Sequence, residues 1–208
     1  MEDLTIIYYT ANTEDETFEN KIRENIVEQA KGLPIVSVSR KPIKFGHNIC
    51  VGEKPVSYIN SWKQLLLGLK EAKTKFCIAT ESDCLYPPDY FSFRPPSERQ
   101  TYQYDNVWVV WKYKYWYWKK YNSCEGAQIC GREYWIERLE AMLSSPETNT
   151  RKLVQMIFPD YKTWTGEPVV TFKTRDGING GTGYIRESSQ KEIPYWGEIN
   201  KLKEKMFV

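Results

Sequence analysis

Histidine is almost missing from this chain: His47 is the only one among 208 residues. A histidine cluster is therefore excluded as a metal or acid–base centre, and a Ser-His-Asp arrangement could form only through that residue. The five cysteines, Cys50, Cys77, Cys84, Cys124 and Cys130, contain no Cys-x-x-Cys pair. An odd count without paired spacing points to reduced thiols, not to a disulfide framework or a structural zinc site. No run of about 18 apolar residues exists, so no membrane insertion is expected. The opening Met-Glu-Asp-Leu lacks the basic start and apolar centre of a signal peptide, so the expected location is cytoplasmic. A phosphate-loop signature is absent. The Gly-rich stretch "GINGGTGY" comes too late, and in the wrong context, for a dinucleotide fingerprint. A net charge of +2 is too small to argue for nucleic acid by itself.

What is present describes a globular α/β chain, with 41% hydrophobic and 27% charged residues. "LTIIYYT", residues 4–10, reads as a buried first strand. A helix follows, capped by Thr13, with Phe18, Ile22, Ile26 and Ala30 at helical spacing and Gly32 closing it. Residues 33–39 read as a second strand, parallel to the first. "RKPIKFGHNICVGEKP" reads as a loop. A helix capped by Ser57 then leads to a third strand, "KFCIAT", which ends in Glu81-Ser82-Asp83. Residues 92–105 read as a linker, residues 106–118 as an aromatic strand and residues 131–145 as a helix. A short strand "VVTFKT" and a basic C-terminal helix complete the chain.

The acidic triplet sets the functional question. Ligands of open α/β sheets bind beyond the carboxyl ends of the strands. Alternate residues of an extended segment point the same way, so Glu81 and Asp83 could face one Mg²⁺ or Mn²⁺ shared with substrate phosphates. A solvated strand-to-loop junction is the plain alternative. The run "GLKEAKTKFCIATESDCLYPPDYF", together with "LTIIYYT", resembles the nucleotide-diphosphosugar glycosyltransferases of the GT-A fold. The run looks like the family-2-type pattern, and the size of the chain resembles that of small stand-alone transferases of phages. The resemblance covers residues 4–91 well and the rest loosely. It implies a Rossmann-type sheet, βαβαβ in its first half and completed as a mixed sheet by the second. Residues 1–91 would bind the nucleotide sugar and residues 92–208 would form the acceptor side of one domain. Asp83 and Glu81 would hold the metal, with Ser82 beside the donor. Tyr8, Tyr9, Thr10 and Asn12 would lie near base and ribose, Ser39 and Arg40 near base or phosphates, and Lys63 near the diphosphate. One of Tyr8 and Tyr9 is expected in the core. The family often adds a late histidine as metal ligand. None follows His47, so water or a carboxylate such as Glu187 or Glu198 would stand in.

The resemblance further implies a nucleotide-diphosphosugar donor, foremost a UDP-sugar. An inverting transfer needs a carboxylate base. Glu167 in "TWTGEPVV" is preferred, because Trp164 offers a sugar-stacking surface, and Glu125 in "SCEGAQ" is the other candidate. Strand alternation in "WVVWKYKYWYWKKY" would put Trp111, Tyr113, Tyr115 and Tyr117 on one face. Such a strand is either core or an acceptor platform for a glycan or a hydroxymethylated base in DNA. Two rivals stand beside the transferase: a nucleotidyltransferase, which would want a Gly-rich basic loop near the first strand, and a non-catalytic nucleic-acid binder.

Overall fold

Leu4–Thr10 forms β1, and its near-continuous burial is that of a central strand. The computed structural model describes residues 3–120, 126–174 and 185–207. β1 lies between β2 (Ile35–Ser39) and β4 (Phe76–Glu81) and runs parallel to both. Its alternation sorts the core into two layers. Leu4, Ile6 and Tyr8 pack with Phe18, Ile22 and Ile26 of helix α1 (Glu16–Ala30) on one face. Ile7 packs with Trp62, Leu65 and Leu69 of helix α2 (Tyr58–Glu71) on the other. Gly68 lets α2 approach this closely, because a Cβ there would meet Ile7.

The cap of α1 is Asp15, not Thr13: its side chain accepts from the Phe18 N–H at 3.1 Å. Lys31, in the left-handed region at φ 50°, ends the helix ahead of Gly32. Ser57 caps α2 as expected.

Three expectations are corrected. The loop after β2 contains an edge strand, β3 (His47–Cys50), parallel to β2 and held by Asn48, which donates to the hydroxyls of Ser37 and Ser39. The linker ends in a strand, β6 (Tyr102–Tyr104). The aromatic run is not one strand. β7 (Val107–Trp111) stops, Lys114 N–H closes a turn onto the Trp111 carbonyl, and β8 (Tyr117–Lys120) returns antiparallel. Tyr117 is consequently buried, while Tyr113 and Tyr115 are 66% and 64% exposed.

The second half of the chain completes the sheet. β9 (Gln128–Gly131) adds antiparallel to β4, followed by β6 and β10 (Lys162–Trp164), giving the order β10-β6-β9-β4-β1-β2-β3. Helix α3 (Arg132–Leu143) follows β9 and packs with α2 and α4 (Thr150–Ile157). A smaller sheet joins β5 (Cys84–Leu85), β11 (Val169–Lys173), β7, β8 and β12 (Ile185–Gln190). β13 (Glu192–Ile193) and β14 (Gly197–Glu198) form a hairpin leading into α5 (Ile199–Phe207), whose Phe207 stacks on Phe18 at 5.2 Å. Among the described residues no helix is long and apolar enough to cross a membrane.

Candidate active site

The ends of β1, β4 and β11 converge on the acidic triplet. Tyr9 and Glu81 are register neighbours on adjacent parallel strands, and the Tyr9 hydroxyl donates to Glu81 Oε1 at 2.8 Å. The Glu81 N–H donates to the Tyr86 hydroxyl at 2.9 Å, and that hydroxyl donates to the Gly126 carbonyl at 2.8 Å. Gly126 lies directly against Glu81, and a Cβ there would displace the Glu81 carboxylate. Burial, and then the charge of Asp83, push the Glu81 carboxyl up to about 7, against the pull of the Tyr9 hydrogen bond, Lys173 and Lys120.

Asp83 follows in the turn after β4. Its carbonyl accepts from Phe172 N–H at 2.7 Å, which docks β11 against the turn. One residue on, Lys173 Nζ donates to Asp83 Oδ2 at 3.2 Å. The Cys84 thiol donates to Asp83 Oδ1 at 3.3 Å.

Ligand atoms of Glu81, Asp83 and Cys84 all lie within 4.8 Å of one another. The two carboxylates suit a hard divalent cation such as Mg²⁺ or Mn²⁺, whereas a buried thiol does not. The donor set therefore fits a divalent ion on Glu81 and Asp83, with Lys173 as a resident competing cation. Where water or a carboxylate was expected in place of a late histidine, the side chain that reaches Asp83 is a lysine. The side chain of Glu187 lies outside the described residues. Glu198 pairs across the β13–β14 hairpin and accepts from Asn200 at 3.3 Å.

The other expected donor-site residues divide. Tyr8 is fully buried in the α1 layer, with its hydroxyl's pKa raised by that burial, and Tyr9 is the one at the site. Thr10 donates to Glu19 Oε1 at 2.9 Å and accepts from the Asn12 N–H at 2.9 Å. Asn12, at φ 49°, accepts through Oδ1 from the N–H groups of Arg40 and Lys41, each at 2.9 Å. The loops after β1 and β2 are thereby tied together. Arg40 also donates to the Ala11 carbonyl at 3.2 Å and pairs with Glu53. Ser39 Oγ bonds inward, to the Lys41 carbonyl at 2.6 Å. Ser82 is half-buried between the two acids. Lys63 is exposed on α2. Its neighbour Gln64 reaches the strand ends instead, donating to the Thr10 and Val38 carbonyls at 2.9 and 3.2 Å. His47 is exposed on the edge strand, 3.6 Å from Glu71.

Glu167 stands apart from the triplet. It precedes β11, whereas the residues of β11 that meet Asp83 are its last two, Phe172 and Lys173. Its backbone is clamped there: Asp89 Oδ2 accepts from its N–H at 2.7 Å and Tyr104 donates to its carbonyl at 2.6 Å. Trp164 is no sugar platform, because Tyr90 and Phe93 stack on it at 5.6 and 5.0 Å. Glu125 and the stretch "GINGGTGY" lie outside the described residues. Lys173, Tyr86, Gly126 and Gln64 were not foreseen. Of these, only Tyr86 carried a signal, its place directly behind the acidic triplet.

No family model matches the chain, and no curated protein sequence matches it. Solved structures do. A glycosyltransferase involved in glycosylation of the major capsid of PBCV-1 is similar at TM-score 0.50 and 12% identity, covering 79% of this chain and 82% of that one. TarS 1–349 of S. aureus in complex with UDP-GlcNAc is similar at TM-score 0.52 and 11% identity, covering 88% of this chain. This chain spans 62% of that TarS fragment and 37% of the longer TarS structure, which it matches at TM-score 0.52 and 11% identity over 84% of its own length. These likenesses are of architecture, and the architecture is the mixed α/β fold of GT-A glycosyltransferases.

Proposed function

We propose that this chain is a glycosyltransferase that moves a sugar from a nucleotide diphosphosugar to an acceptor hydroxyl. The observation that carries the proposal is the Glu81–Asp83 carboxylate pair at the carboxyl end of β4, with the Lys173 ammonium beside it. The GT-A-type fold supports the same assignment, and the UDP-GlcNAc held by TarS supports a UDP-sugar donor.

A divalent ion, Mg²⁺ or Mn²⁺, would supply positive charge against the diphosphate leaving group. Glu81 and Asp83 would hold it. Tyr9 and Gly126 fix the Glu81 carboxylate, and Lys173 adds a cation on the same side. The loops joined by Asn12, Thr10, Ser39 and Arg40 form the wall assigned to base and ribose. In the transfer, the acceptor oxygen bonds to the anomeric carbon. The bond to the diphosphate breaks with its electron pair, and the acceptor proton passes to a carboxylate. The base candidates are Glu167, in the segment before β11, and Glu125 in "SCEGAQ". The acceptor classes are a glycan and a hydroxylated base in DNA, reached in the cytoplasm, or in the host cytoplasm for a phage-encoded enzyme.

Isothermal titration of UDP and GDP, with and without Mn²⁺, tests this on the wild type and Asp83→Ala. Metal-dependent binding of one nucleotide, lost in the variant, is the expected result. Binding of one nucleotide that ignores both the metal and the substitution would remove the carboxylate pair from the donor site.

A further inference from the structure

The turn between β7 and β8 and the facing helix α5 enclose a cleft of about 540 Å³, lined among others by Lys112, Tyr113, Tyr115, Lys191 and Lys203. Its chemistry is uneven. Ammonium groups sit over ring faces: Lys203 over Tyr115 at 4.4 Å, Lys191 over Trp116 at 5.2 Å and Lys112 over Tyr113 at 6.0 Å. Tyr113 and Tyr115 nonetheless remain 66% and 64% exposed. Among the described residues Glu204 is the one acid lining the cleft, and Lys112, Lys114, Lys191 and Lys203 form no ion pair. Exposed rings interleaved with uncompensated lysines are suited to a ligand that carries both negative charge and flat faces.

We propose that this cleft binds single-stranded nucleic acid, with phosphates on the lysines and bases stacked on Tyr113 and Tyr115. A neutral glycan would use the rings and leave the ammonium groups without counter-charge. The cleft also adjoins the end of β11 through Lys112. The Lys112 N–H donates to the carbonyl of Lys173 at 3.0 Å, and Lys173 is the residue that reaches Asp83. A second cleft of about 420 Å³, between the start of α1 and α5, shares Lys112 and Phe207 with the first. Binding itself does not depend on the transferase assignment; only the strand's role as acceptor rests on it.

Fluorescence anisotropy of labelled oligothymidylate on the whole protein is the test. With two or three phosphates engaged, affinity should fall about 7- to 20-fold between about 50 and about 200 mM salt. Tyr113→Ala and Tyr115→Ala should each weaken binding about fivefold or more, since both rings are exposed and their loss leaves the core intact. Lys112→Ala with Lys203→Ala should flatten the salt slope. UDP and Mn²⁺ titration of the tyrosine variants should be unchanged, which separates failure of this site from failure of the donor site. No oligothymidylate binding at low salt would overturn the proposal. So would binding indifferent to both tyrosines, or a sulfated polysaccharide binding as tightly and with equal dependence on them.

Discussion

Replacing Lys173 with methionine removes an ammonium 3.2 Å from Asp83 Oδ2 while keeping the aliphatic stem that packs at the end of β11. A divalent ion on Glu81 and Asp83 would share their carboxylates with that ammonium and be repelled by it; two unit charges ~5 Å apart at an effective dielectric of ~20 repel by ~3 kcal/mol. The full repulsion is not realised, because the lysine side chain is 26% exposed and can swing toward water once the ion enters. What the metal must then overcome is the Lys173–Asp83 pair itself, worth ~1–2 kcal/mol in this half-exposed setting. Mn²⁺ should therefore bind Lys173→Met about 5- to 30-fold more tightly than wild type, at ~1.4 kcal/mol per factor of ten. The titration belongs at about pH 8.5, because Lys173 also holds down the Glu81 carboxyl and its loss would otherwise add proton competition near pH 7. Turnover should move the opposite way and fall about 100-fold, since the ammonium that the ion displaces from Asp83 is no longer there to meet the leaving diphosphate. Tighter metal with slower turnover separates Lys173 from a merely structural residue. Equal or weaker Mn²⁺ affinity in the variant would refute the competition.

Two other outcomes follow from the same geometry. The Glu81 carboxyl, raised to about 7 chiefly by burial, should make Mn²⁺ affinity fall about tenfold per pH unit below that value, with up to one proton released per ion bound. The sign for stability is also fixed. Between the ordinary value of 4.5 and about 7 the folded state keeps a proton that the unfolded chain has lost, so the contribution of Glu81 to metal-free stability is full below 4.5 and is lost as pH rises through 7. Melting curves at fixed ionic strength, with and without Mn²⁺, read both, and a pH-independent affinity would contradict the burial. Trp164→Ala should cost about 3–5 kcal/mol in denaturant unfolding, because the ring is sandwiched between Tyr90 and Phe93, and it should leave UDP binding by the folded protein intact. A stable variant with impaired sugar transfer would return Trp164 to the acceptor side.

What was legible in the sequence was local. β1, α1, α2 and β4 each carry their own period, and Ser57 caps α2 through a bond to Asn60 N–H three residues on. The acidic triplet was visible because a buried strand rarely ends in three polar residues. The partners of that triplet were not visible, because tertiary folding alone brings them in: Lys173 meets Asp83 from 90 positions away, and the Gly126 carbonyl meets Tyr86 from 40. The break in the aromatic run also left no mark. Residues 112–116, Lys-Tyr-Lys-Tyr-Trp, contain no glycine, proline or asparagine, so strand alternation reads straight through a turn held by one Lys114–Trp111 backbone bond. Glu167 illustrates the deeper difficulty. "Gly-Glu-Pro" before a strand looks like a site loop, and the stretch is indeed clamped in place by Asp89 and Tyr104. Which end of β11 serves the triplet depends, however, on its antiparallel pairing with β5, Val170 against Leu85 and Thr171 against Cys84. Running β11 antiparallel to the chain leaving Asp83 puts its last residue, not the segment before its first, against the carboxylates. The same pairing fixes Lys173 as the cation at the site, and it carries Lys112 of the adjacent, parallel β7 end to the mouth of the aromatic cleft. One two-residue strand thus decides which charges surround the triplet, and nothing in the six letters "ESDCLY" announces its partner.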